Sequence, residues 1–291
     1  VPMIIGITFI SFCVMQLAPG AIGGGSSGEM TAGRLTKDQR EVMNRTFHLD
    51  KPIYLRYFYW LGVLQPEWTA AQKAEHEKTG KEPERKGLIF GDFGYSMEVR
   101  TVKVTDRVLA ALPITIILNI LSFLAIYLLA IPVGIYSATH QYSLIDRITT
   151  VGLFMLYSLP SFWVAVLLIK LVVMYQVPLP IQGIAPTGAD RLPPLTWLLE
   201  SARHLLLPVL VMSYAGLAGI SRYMRSSMID VIRSDFIRTA KAKGLREFFV
   251  IYKHALRNSL IPIITLLGGL LPSLIGGSVI IESIFGIPGM G

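Results

Sequence analysis

Hydrophobic residues are gathered into five long stretches along the chain, and polar segments of very different lengths separate them. A helix that crosses a bilayer needs roughly 20 mostly apolar residues, because each residue adds about 1.5 Å to its length. Each stretch approaches or exceeds that length, so the pattern predicts an all-α membrane protein with five spans. The five stretches are residues 1–18, 112–138, 149–177, 204–220 and 260–281.

The first stretch has a second interpretation, a cleaved signal peptide. Such peptides have an apolar region of about 7–15 residues followed by small residues, and Pro19, Gly20 and Ala21 provide a similar sequence. No basic segment precedes the stretch, and its length suits a span. A transmembrane helix is therefore the favoured interpretation, and we expect the sequence to begin inside it.

The polar segment at residues 19–111 contains 14 Lys/Arg and 12 Asp/Glu, so its charges nearly cancel. An aromatic cluster at 54–60 favours a small packed cap or an interfacial helix over a flexible linker. Charged residues dominate 65–86, which is predicted to be a surface insertion. The predicted organisation is a first transmembrane helix at 1–18, an extracytoplasmic loop or cap at 19–111, and a transmembrane core at 112–291.

The short loops predict the orientation of the chain, because loops longer than about 60 residues cross the membrane largely regardless of charge. The loop at residues 221–259 carries nine Lys/Arg against three Asp/Glu, a net charge of +6. Positively charged loops stay in the cytoplasm, so this loop is predicted to be cytoplasmic, together with 139–148. The cap, the neutral loop at 178–203 and the chain after residue 281 are then extracytoplasmic.

Small residues recur every four positions in the fifth stretch. On a continuous helix they would share one face and allow another helix to pack closely. A pathway-lining or hinging helix is the alternative interpretation, because Pro272 removes a backbone hydrogen bond. Ala215 and Gly219 repeat the pattern in the fourth stretch. The positions in the fifth stretch are Gly269, Ser273 and Gly277.

Polar residues and prolines inside the other apolar stretches add further candidates. Asn119, Ser158 and Ser161 are polar positions that could contact cargo on a translocation pathway. Pro132 and Pro160 lie inside the second and third stretches and predict interruptions there, since proline cannot donate a helical hydrogen bond.

The composition agrees with a bilayer environment. Hydrophobic residues make up 52% of the 291 residues, charged residues make up 16%, and the mean hydropathy is +0.54. These values exclude an ordinary soluble domain and a disordered chain. The formal charge of +8 does not indicate a nucleic-acid binder, because the excess lies in a loop between two spans.

Charge is almost absent from the apolar stretches themselves. Lys170 is the one Asp, Glu, Lys or Arg well inside a stretch, and it lies near the outer end, where its ammonium group can reach the interface. A proton- or sodium-coupled carrier generally needs intramembrane carboxylates or a broken-helix ion site. A secondary carrier or channel is therefore the less favoured alternative.

The sequence carries no motif for catalysis, metal binding or nucleotide binding. Its single cysteine, Cys13, excludes an intrachain disulfide, and its five histidines are far apart in sequence. The glycine-rich phosphate loop, the paired-histidine zinc motif and the serine-nucleophile motif are all missing. The chain is predicted to be a non-enzymatic subunit with no catalytic residue, metal site or bound cofactor of its own.

The cytoplasmic loop contains a segment suited to docking on another protein, residues 230–245. Thr239, Ala240 and Ala242 are small, and Gly244 can end a helix in the left-handed conformation. Such a short, slim and basic helix fits a groove on a partner. The alternative is an ordinary basic loop that the positive-inside effect keeps on its side of the membrane.

The sequence of this loop resembles the EAA loop of the transmembrane subunits of ATP-binding cassette importers. Its variant is similar to the oligopeptide/dipeptide (and nickel) permease family, because Arg238-Thr239-Ala240 stands in place of the general Glu-Ala-Ala triplet. The resemblance covers Arg238, Thr239, Ala240, Lys241, Ala242, Lys243, Gly244 and Leu245, followed by residues 254–262.

Three further segments resemble the same family and follow in the expected order along the chain. The first is residues 49–57. The other two are 91–96, with Gly91, Asp92, Gly94 and Ser96, and 281–291, with Glu282, Pro288 and Gly289. Similarity therefore extends over most of the chain.

The resemblance implies the fold of a type I importer transmembrane domain and the role of a permease subunit. A helix at about 238–245 would dock on a cytosolic ATPase and couple ATP hydrolysis to the spans. The implied partners are a second homologous permease subunit, two cytosolic ATPase subunits that bind ATP and Mg²⁺, an extracytoplasmic substrate-binding protein and the lipid bilayer of a bacterial or archaeal plasma membrane. The implied cargo is a di- or oligopeptide, with nickel or another small solute as the alternative.

Two features depart from the family pattern. Its members have a further span and a cytoplasmic tail after the position of Gly291, so we expect a sixth span to be missing from this sequence; otherwise the native protein lacks one. The charged insertion at 65–86 is also longer than the family pattern implies, and it could alter contacts with the binding protein.

Overall fold

The computed structural model describes residues 2–17, 50–65, 87–94, 102–186, 188 and 192–291. The regular secondary structure within these ranges is helical, as the apolar pattern predicted. Contacts divide the chain into two compact units, Val1–Val108 and Leu109–Gly291.

The first unit is built around two helices that pack on each other. Tyr57 is buried, its hydroxyl oxygen lies 2.8 Å from Thr8 Oγ1, and its ring packs edge-on against Phe9. The aromatic cluster at 54–60 therefore belongs to a packed helix and not to a flexible linker. The elements are α1 (Pro2–Leu17), α2 (Ile53–Leu61) and a 3₁₀ turn (Leu88–Phe90).

The remaining helices follow from residue 104 onward. They are α3 (Val104–Thr139), α4 (Leu144–Ser158), α5 (Ser161–Met174), α6 (Pro194–Ile232), α7 (Asp235–Ala242), α8 (Glu247–Gly269) and α9 (Val279–Phe285). Near its start α8 contains a π-helical turn, Val250–Ala255. A 3₁₀ turn, Leu271–Leu274, lies between α8 and α9.

Two helices in the described part of the chain are long and apolar enough to cross a bilayer alone, α3 with 36 residues and α6 with 39. Two bent helix pairs raise the possible number of spans to four, and α1 is a shorter apolar helix. α3 continues through Pro132, so the predicted interruption there is wrong. α6 contains the fourth stretch and extends into both of the segments that were predicted to be loops.

The third apolar stretch is not one continuous helix. α4 and α5 meet at an angle of 102°, as a broken span or a re-entrant loop. Leu159 between them is extended (φ −84°, ψ 131°), because the residue before a proline is driven out of the helical region. The third stretch therefore forms two helices, and the predicted interruption at Pro160 is confirmed.

The fifth apolar stretch is also broken, and its two parts are bent by 51°. Pro272 lies between two glycine pairs, which disfavour a helix on either side of it. Gly269 ends α8, Ser273 lies in the 3₁₀ turn, and Gly277 lies beyond that turn. The prediction that these three small residues share one helical face is therefore wrong.

Two apolar clusters fill the second unit, one toward each end of α3 and α6. The α7-end cluster consists of Ile135, Ala138, Met224, Met228, Ile237, Ala240, Val250, Ala255 and Ile263. The α9-end cluster consists of Leu118, Ala165, Val172, Leu207, Val211, Tyr214, Ile281, Phe285 and Ile287.

The two clusters group the loops as the charge pattern predicted. The turn at 139–148 and the loop at 221–259 both lie at the α7 end. The loop after α5 and the segment after α9 meet at the other end, where Gly183 N donates to Phe285 O over 2.8 Å. The side of the membrane on which each of these two groups lies stays a prediction.

Glycines allow α3 and α6 to approach each other closely. A Cβ atom on Gly134 would lie 2.5 Å from Met224 Cβ, and one on Gly216 would lie 2.5 Å from Ile126 Cδ1. Gly219, which the small-residue pattern singled out, has no atom within 4 Å of such a position. The close contact of α6 is therefore made one helical turn away from the predicted glycine.

Candidate functional site

The predicted docking segment forms α7, a short helix between the ends of α6 and α8. It spans Asp235–Ala242, so it begins and ends three residues earlier than the helix predicted at 238–245. Gly244 follows it with φ +74°, a left-handed conformation that glycine adopts without strain. Glycine thus terminates this turn as predicted, while Lys243 and Leu245 lie beyond the helix.

One face of α7 is fixed to the body of the unit. Ile237 is fully buried and Ala240 is 8% exposed, and both belong to the α7-end cluster. Met224 and Met228 on α6, each fully buried, form part of the same cluster. α7 is therefore packed against the end of α6.

The opposite face of α7 is open and positively charged. Arg238 pairs with Asp235 at 3.3 Å, but both side chains are largely exposed, so the pair contributes little to stability. Lys241 and Lys243 are exposed and form no ion pair within the described ranges. Phe236 on the same helix is 47% exposed, so α7 also presents an apolar side chain to solvent.

The eight residues of the predicted docking segment therefore differ in burial: one faces the core and seven face solvent. Ala240 faces the chain's own core, where its small size permits close packing. The other seven are exposed: Arg238, Thr239, Lys241, Ala242, Lys243, Gly244 and Leu245. Small size alone could not distinguish Ala240 from Thr239 and Ala242, because burial depends on the position of the helix against its neighbours.

The second half of the loop motif holds α8 in place. Ala255 and Ser259 are fully buried, and Ser227 Oγ on α6 donates to Ser259 O over 2.9 Å. The π-helical turn at Val250–Ala255 contributes two side chains to the α7-end cluster. Turns of this kind are rare and frequently occur at functional sites.

A polar junction joins α3, α4 and α6, and it was not among the residues predicted from the sequence. It consists of Ser137 on α3, Asp146 in the first turn of α4 and Arg225 on α6. Arg225 Nη2 donates to Asp146 Oδ2 over 3.2 Å, Arg225 Nε donates to Ser137 Oγ over 3.2 Å, and Ser137 Oγ donates to the Asp146 carboxylate. Asp146 is 4% exposed.

Local sequence explains how Asp146 comes to lie in this junction. Ser143 is the N-cap of α4, and its Oγ accepts from Asp146 N over 3.2 Å, while Tyr142 N donates to Asp146 Oδ2 over 2.9 Å. The Ser-x-x-Asp spacing of this cap was the available signal. In this polar turn burial opposes the charged carboxylate, but hydrogen bonds from Ser137, Tyr142 and Arg225 outweigh it and lower the pKa of Asp146.

The motif at 281–291 closes around a second buried carboxylate. Glu282 is 2% exposed and accepts from Gly291 N at 2.6 Å, Ser278 N at 3.3 Å and Thr115 Oγ1 at 3.3 Å. A Cβ atom on Gly289 would lie 2.5 Å from Glu282 Oε2. The structure thus brings two predicted motif residues together, while Pro288 is exposed between them.

The candidate pathway residues fall into two groups. Asn119 is buried, and its Nδ2 donates to the carbonyl oxygens of Ser273 (3.3 Å) and Leu274 (3.0 Å) in the break between α8 and α9. Ser158 and Ser161 lie on either side of the bend between α4 and α5. Asn119 therefore holds the backbone of the broken segment, and its amide is committed to that contact.

Tyr214 holds the other break and was missed by the sequence analysis. Its hydroxyl donates to the Leu159 carbonyl over 2.6 Å, which satisfies a carbonyl group that the interrupted helix leaves free. Nothing in the local sequence of α6 singles this tyrosine out.

The remaining motif, in the first unit, forms a tight turn. Asp92 Oδ1 accepts from Gly94 N over 2.9 Å, and Gly91 and Gly94 have φ of +75° and +72°. These three predicted residues are therefore together, whereas Ser96 lies outside the described residues. Within the described ranges no group of three His, Cys, Asp or Glu side chains is arranged to hold a metal ion.

Comparison with known proteins decides the family. Residues 130–291, more than half of the chain, match the family described as Binding-protein-dependent transport system inner membrane component. The chain belongs to this family. It is a helical, multi-pass membrane component of such a transport system, and the matched range contains α7, the polar junction and the Glu282 loop.

Similar relatives are named as peptide permeases. The oligopeptide transport system permease protein AppB of Bacillus subtilis (strain 168) is 35% identical over 292 residues, covering 100% of this chain and 82% of AppB. The corresponding OppB of Haemophilus influenzae is 35% identical over 288 residues, covering 98% and 79%. The dipeptide transport system permease protein DppB of Escherichia coli (strain K12) is 30% identical over 311 residues, covering 100% and 82%. The resemblance found in the sequence is thereby confirmed.

Proposed function

We propose that the chain is the permease subunit of an ATP-driven peptide importer and that α7 is the helix on which a cytosolic ATPase subunit acts. The names of the relatives support the peptide cargo, and the family supports a transport component without catalysis of its own. In this assignment the importer's second permease subunit completes the pathway, two ATPase subunits bind ATP and Mg²⁺, and an extracytoplasmic binding protein delivers the peptide.

The observation that carries this proposal is the two-sided structure of α7. Its buried face, with Ile237 and Ala240, packs into the α7-end cluster, whereas Lys241 and the following Lys243 are exposed. A helix that is fixed to the spans on one side and free on the other can bind a partner and pass its movement inward. The positive charge assists encounter with an acidic groove on that partner.

The mechanism follows from the cluster that α7 shares with α3, α6 and α8. When the ATPase subunits close on ATP, α7 moves with the subunit that it contacts. Packed side chains transmit such a shift, because a well-packed core resists compression. The ends of α3 and α6 therefore move with α7, and the pathway between the two permease subunits opens to the other side.

The geometry offers less to the alternative functions. Among the described residues of the second unit the buried carboxylates are Asp146 and Glu282, and both are engaged by hydrogen bonds at the ends of the unit. Neither is available to carry a coupling ion along a pathway. A nickel or other small-solute permease would share the same α7 arrangement, and the choice between cargoes belongs to the binding protein.

The test reconstitutes the complete transporter in liposomes, with both permease subunits, the ATPase subunits and the binding protein. We expect Lys241→Glu to reduce capture of the ATPase subunits and peptide uptake together, because it reverses the charge of the open face of α7. Lys103→Glu, an exposed lysine outside α7, is the matched control and should behave as wild type. Equal behaviour of the two variants would count against docking through α7.

A labelling experiment on the same subunit tests on which side of the membrane α7 lies. Cys13 is the single cysteine, so Cys13→Ser combined with Thr239→Cys gives one reactive site on α7. We expect a membrane-impermeant thiol reagent to label it only from the cytosolic face. Labelling from the opposite face would refute the proposal.

A further inference from the structure

The polar junction lies directly beside the cluster that holds α7. On α3, Ser137 stands between two residues of the α7-end cluster, and on α6, Arg225 stands between two more. The same turns of α3 and α6 therefore contribute apolar side chains to the cluster that holds α7 and contact α4 through the junction. The four flanking cluster residues are Ile135, Ala138, Met224 and Met228.

The junction fixes the relative geometry of three helices more narrowly than apolar packing would. Asp146 accepts three hydrogen bonds, from Ser137, Arg225 and the backbone of Tyr142, so both of its oxygens have set directions. Asp146 is buried and Arg225 is partly exposed, and replacing an ion pair in which a charge is buried by apolar residues is often neutral or stabilising. Stability alone is therefore a weak reason for charge at this position, whereas a fixed orientation is a specific one.

The approach to α4 holds Asp146 firmly in place. Tyr142 has φ +64°, a left-handed conformation that is uncommon for a residue other than glycine, and Ser143 caps the helix. This turn connects α3 to α4 in four residues, 140–143. A shift of the junction therefore displaces the start of α4 as a whole and does not merely rotate one side chain.

From α4 the structure continues to the opposite end of the unit. α5 follows the bend at Pro160, and its Ala165 and Val172 belong to the α9-end cluster together with Ile281 and Phe285. The carbonyl group at the bend is held by Tyr214. The junction thus connects the region of α7 to α9 by a route through α4 and α5, in addition to the direct route along α6.

We propose that Asp146 and Arg225 are positioning residues, which transmit a displacement of α7 to α4 and through α5 to the α9 end. The proposal rests on the proposed function, because the displacement originates where the ATPase binds. Neither residue contacts cargo or nucleotide in this scheme. Their role is to make α4 move with α3 and α6 during each cycle of ATP hydrolysis.

The experiment measures peptide imported per ATP hydrolysed by the complete transporter in liposomes, for Asp146→Asn and for Arg225→Lys. Lysine retains the charge, but a single ammonium group does not reproduce the forked donation of arginine to Ser137 and Asp146. We expect the ratio to fall by at least about fivefold in each variant, the lower range of coupling between sites. Capture of the ATPase subunits should remain at the wild-type level. Asp106→Asn, an exposed carboxylate in the first turn of α3 and far along that helix from the junction, is the matched control and should leave the ratio unchanged.

The ratio separates positioning from mere stability, because a misfolded subunit contributes neither stimulated hydrolysis nor import. A wild-type ratio in Arg225→Lys or in an assembled Asp146→Asn complex overturns the proposal; if Asp146→Asn does not assemble, Arg225→Lys decides alone. The variant with both Asp146→Asn and Arg225→Lys should have the same ratio as each single variant, because all three break the same contact between α4 and α6. A ratio that falls by the product of the two single effects also overturns the proposal.

If Lys241→Glu abolishes ATPase capture while the junction variants keep the wild-type ratio, only this inference fails. If Lys241→Glu has no effect either, the proposed function fails as well.

Discussion

The two ends of the second unit each bury one carboxylate, but they hold it in different ways. Asp146 at the α7 end is bound by side chains from two other helices, one of them the guanidinium of Arg225. Glu282 at the α9 end is bound mainly by backbone N–H groups of its own segment, Ser278 and Gly291, with Thr115 as a side-chain partner. The first arrangement joins helices, and the second shapes a loop.

This difference indicates what each end can do. A junction between separate helices transmits movement from one to the next while its members stay paired. The loop around Glu282 is closed by glycines, since a Cβ atom on Gly277 would lie 2.7 Å from Glu282 Oε1 and one on Gly289 2.5 Å from Oε2. Such a loop is rigid and moves as one piece with α9. We therefore expect substitutions at the α9 end to affect folding most, and substitutions at the α7 end to affect coupling most.

The largest effect on stability is expected from Gly289→Ala. The new methyl group would lie 2.5 Å from Glu282 Oε2 and 2.7 Å from Thr115 Oγ1, so either the carboxylate or the loop has to move. Overpacking of this kind costs about 1–3 kcal/mol. The melting temperature of the purified subunit in detergent should fall accordingly.

Gly268→Ala is the matched control, because no atom lies within 4 Å of the position of its methyl group and the residue lies on α8. Alanine favours a helix more than glycine does, so the melting temperature should stay unchanged or rise slightly. If Gly289→Ala melts at the same temperature as this control, the loop around Glu282 is not rigid. The proposed difference between a rigid α9 end and a movement-transmitting α7 end is then wrong.

A smaller pair of effects is expected at α7, from Ala240→Arg and Thr239→Arg. Ala240 is 8% exposed within the α7-end cluster, so arginine there disturbs packing and lowers stability by about 1 kcal/mol, less than Gly289→Ala does, because the long side chain can extend toward solvent. Thr239 is exposed on the neighbouring position. Arginine there should leave the melting temperature unchanged but reduce capture of the ATPase subunits.

The two measurements together decide which face of α7 is the docking face. Melting temperature and ATPase capture should respond to different members of the pair, although the substitutions are adjacent and introduce the same side chain. Reduced capture by Ala240→Arg at an unchanged melting temperature would reverse the assignment of the two faces.

The sequence predicted the positions of the helices better than their continuity. Apolar stretches of span length gave the number of hydrophobic segments, because the bilayer imposes that length on any spanning helix. Whether a proline breaks a helix depends on its surroundings. α3 passes through Pro132, whereas the helix breaks at Pro160, where Tyr214 satisfies the carbonyl group of Leu159. The partner that makes the break tolerable is 55 residues away in sequence, so no local pattern reveals it.

The candidate site was also predicted in part: its motif segments were found from the sequence, but the contacts between helices were not. The basic loop segment and Glu282 were both found by their resemblance to a family, and the structure places them at opposite ends of the unit. The polar junction was missed because its three members lie on different helices and become neighbours only after α3 and α6 pack at Gly134. In the sequence, Arg225 is only one of nine basic residues in the loop at 221–259. Its pairing with the buried Asp146 is visible only in the structure.

The smallest effect is expected from Asp235→Asn, which removes the exposed ion pair on α7. Arg238 and Asp235 side chains are 77% and 95% exposed, in contrast to the buried Asp146. Water and salt screen such a pair, so the melting temperature should not change measurably. The variant frees Arg238 and raises the positive charge of the open face by one unit. Association with the ATPase subunits should therefore become more sensitive to ionic strength, which binding kinetics in low and high salt can measure. A large loss of stability would show that exposed and buried pairs at the α7 end act alike, and a salt dependence equal to that of wild type would show that the open face does not steer the ATPase.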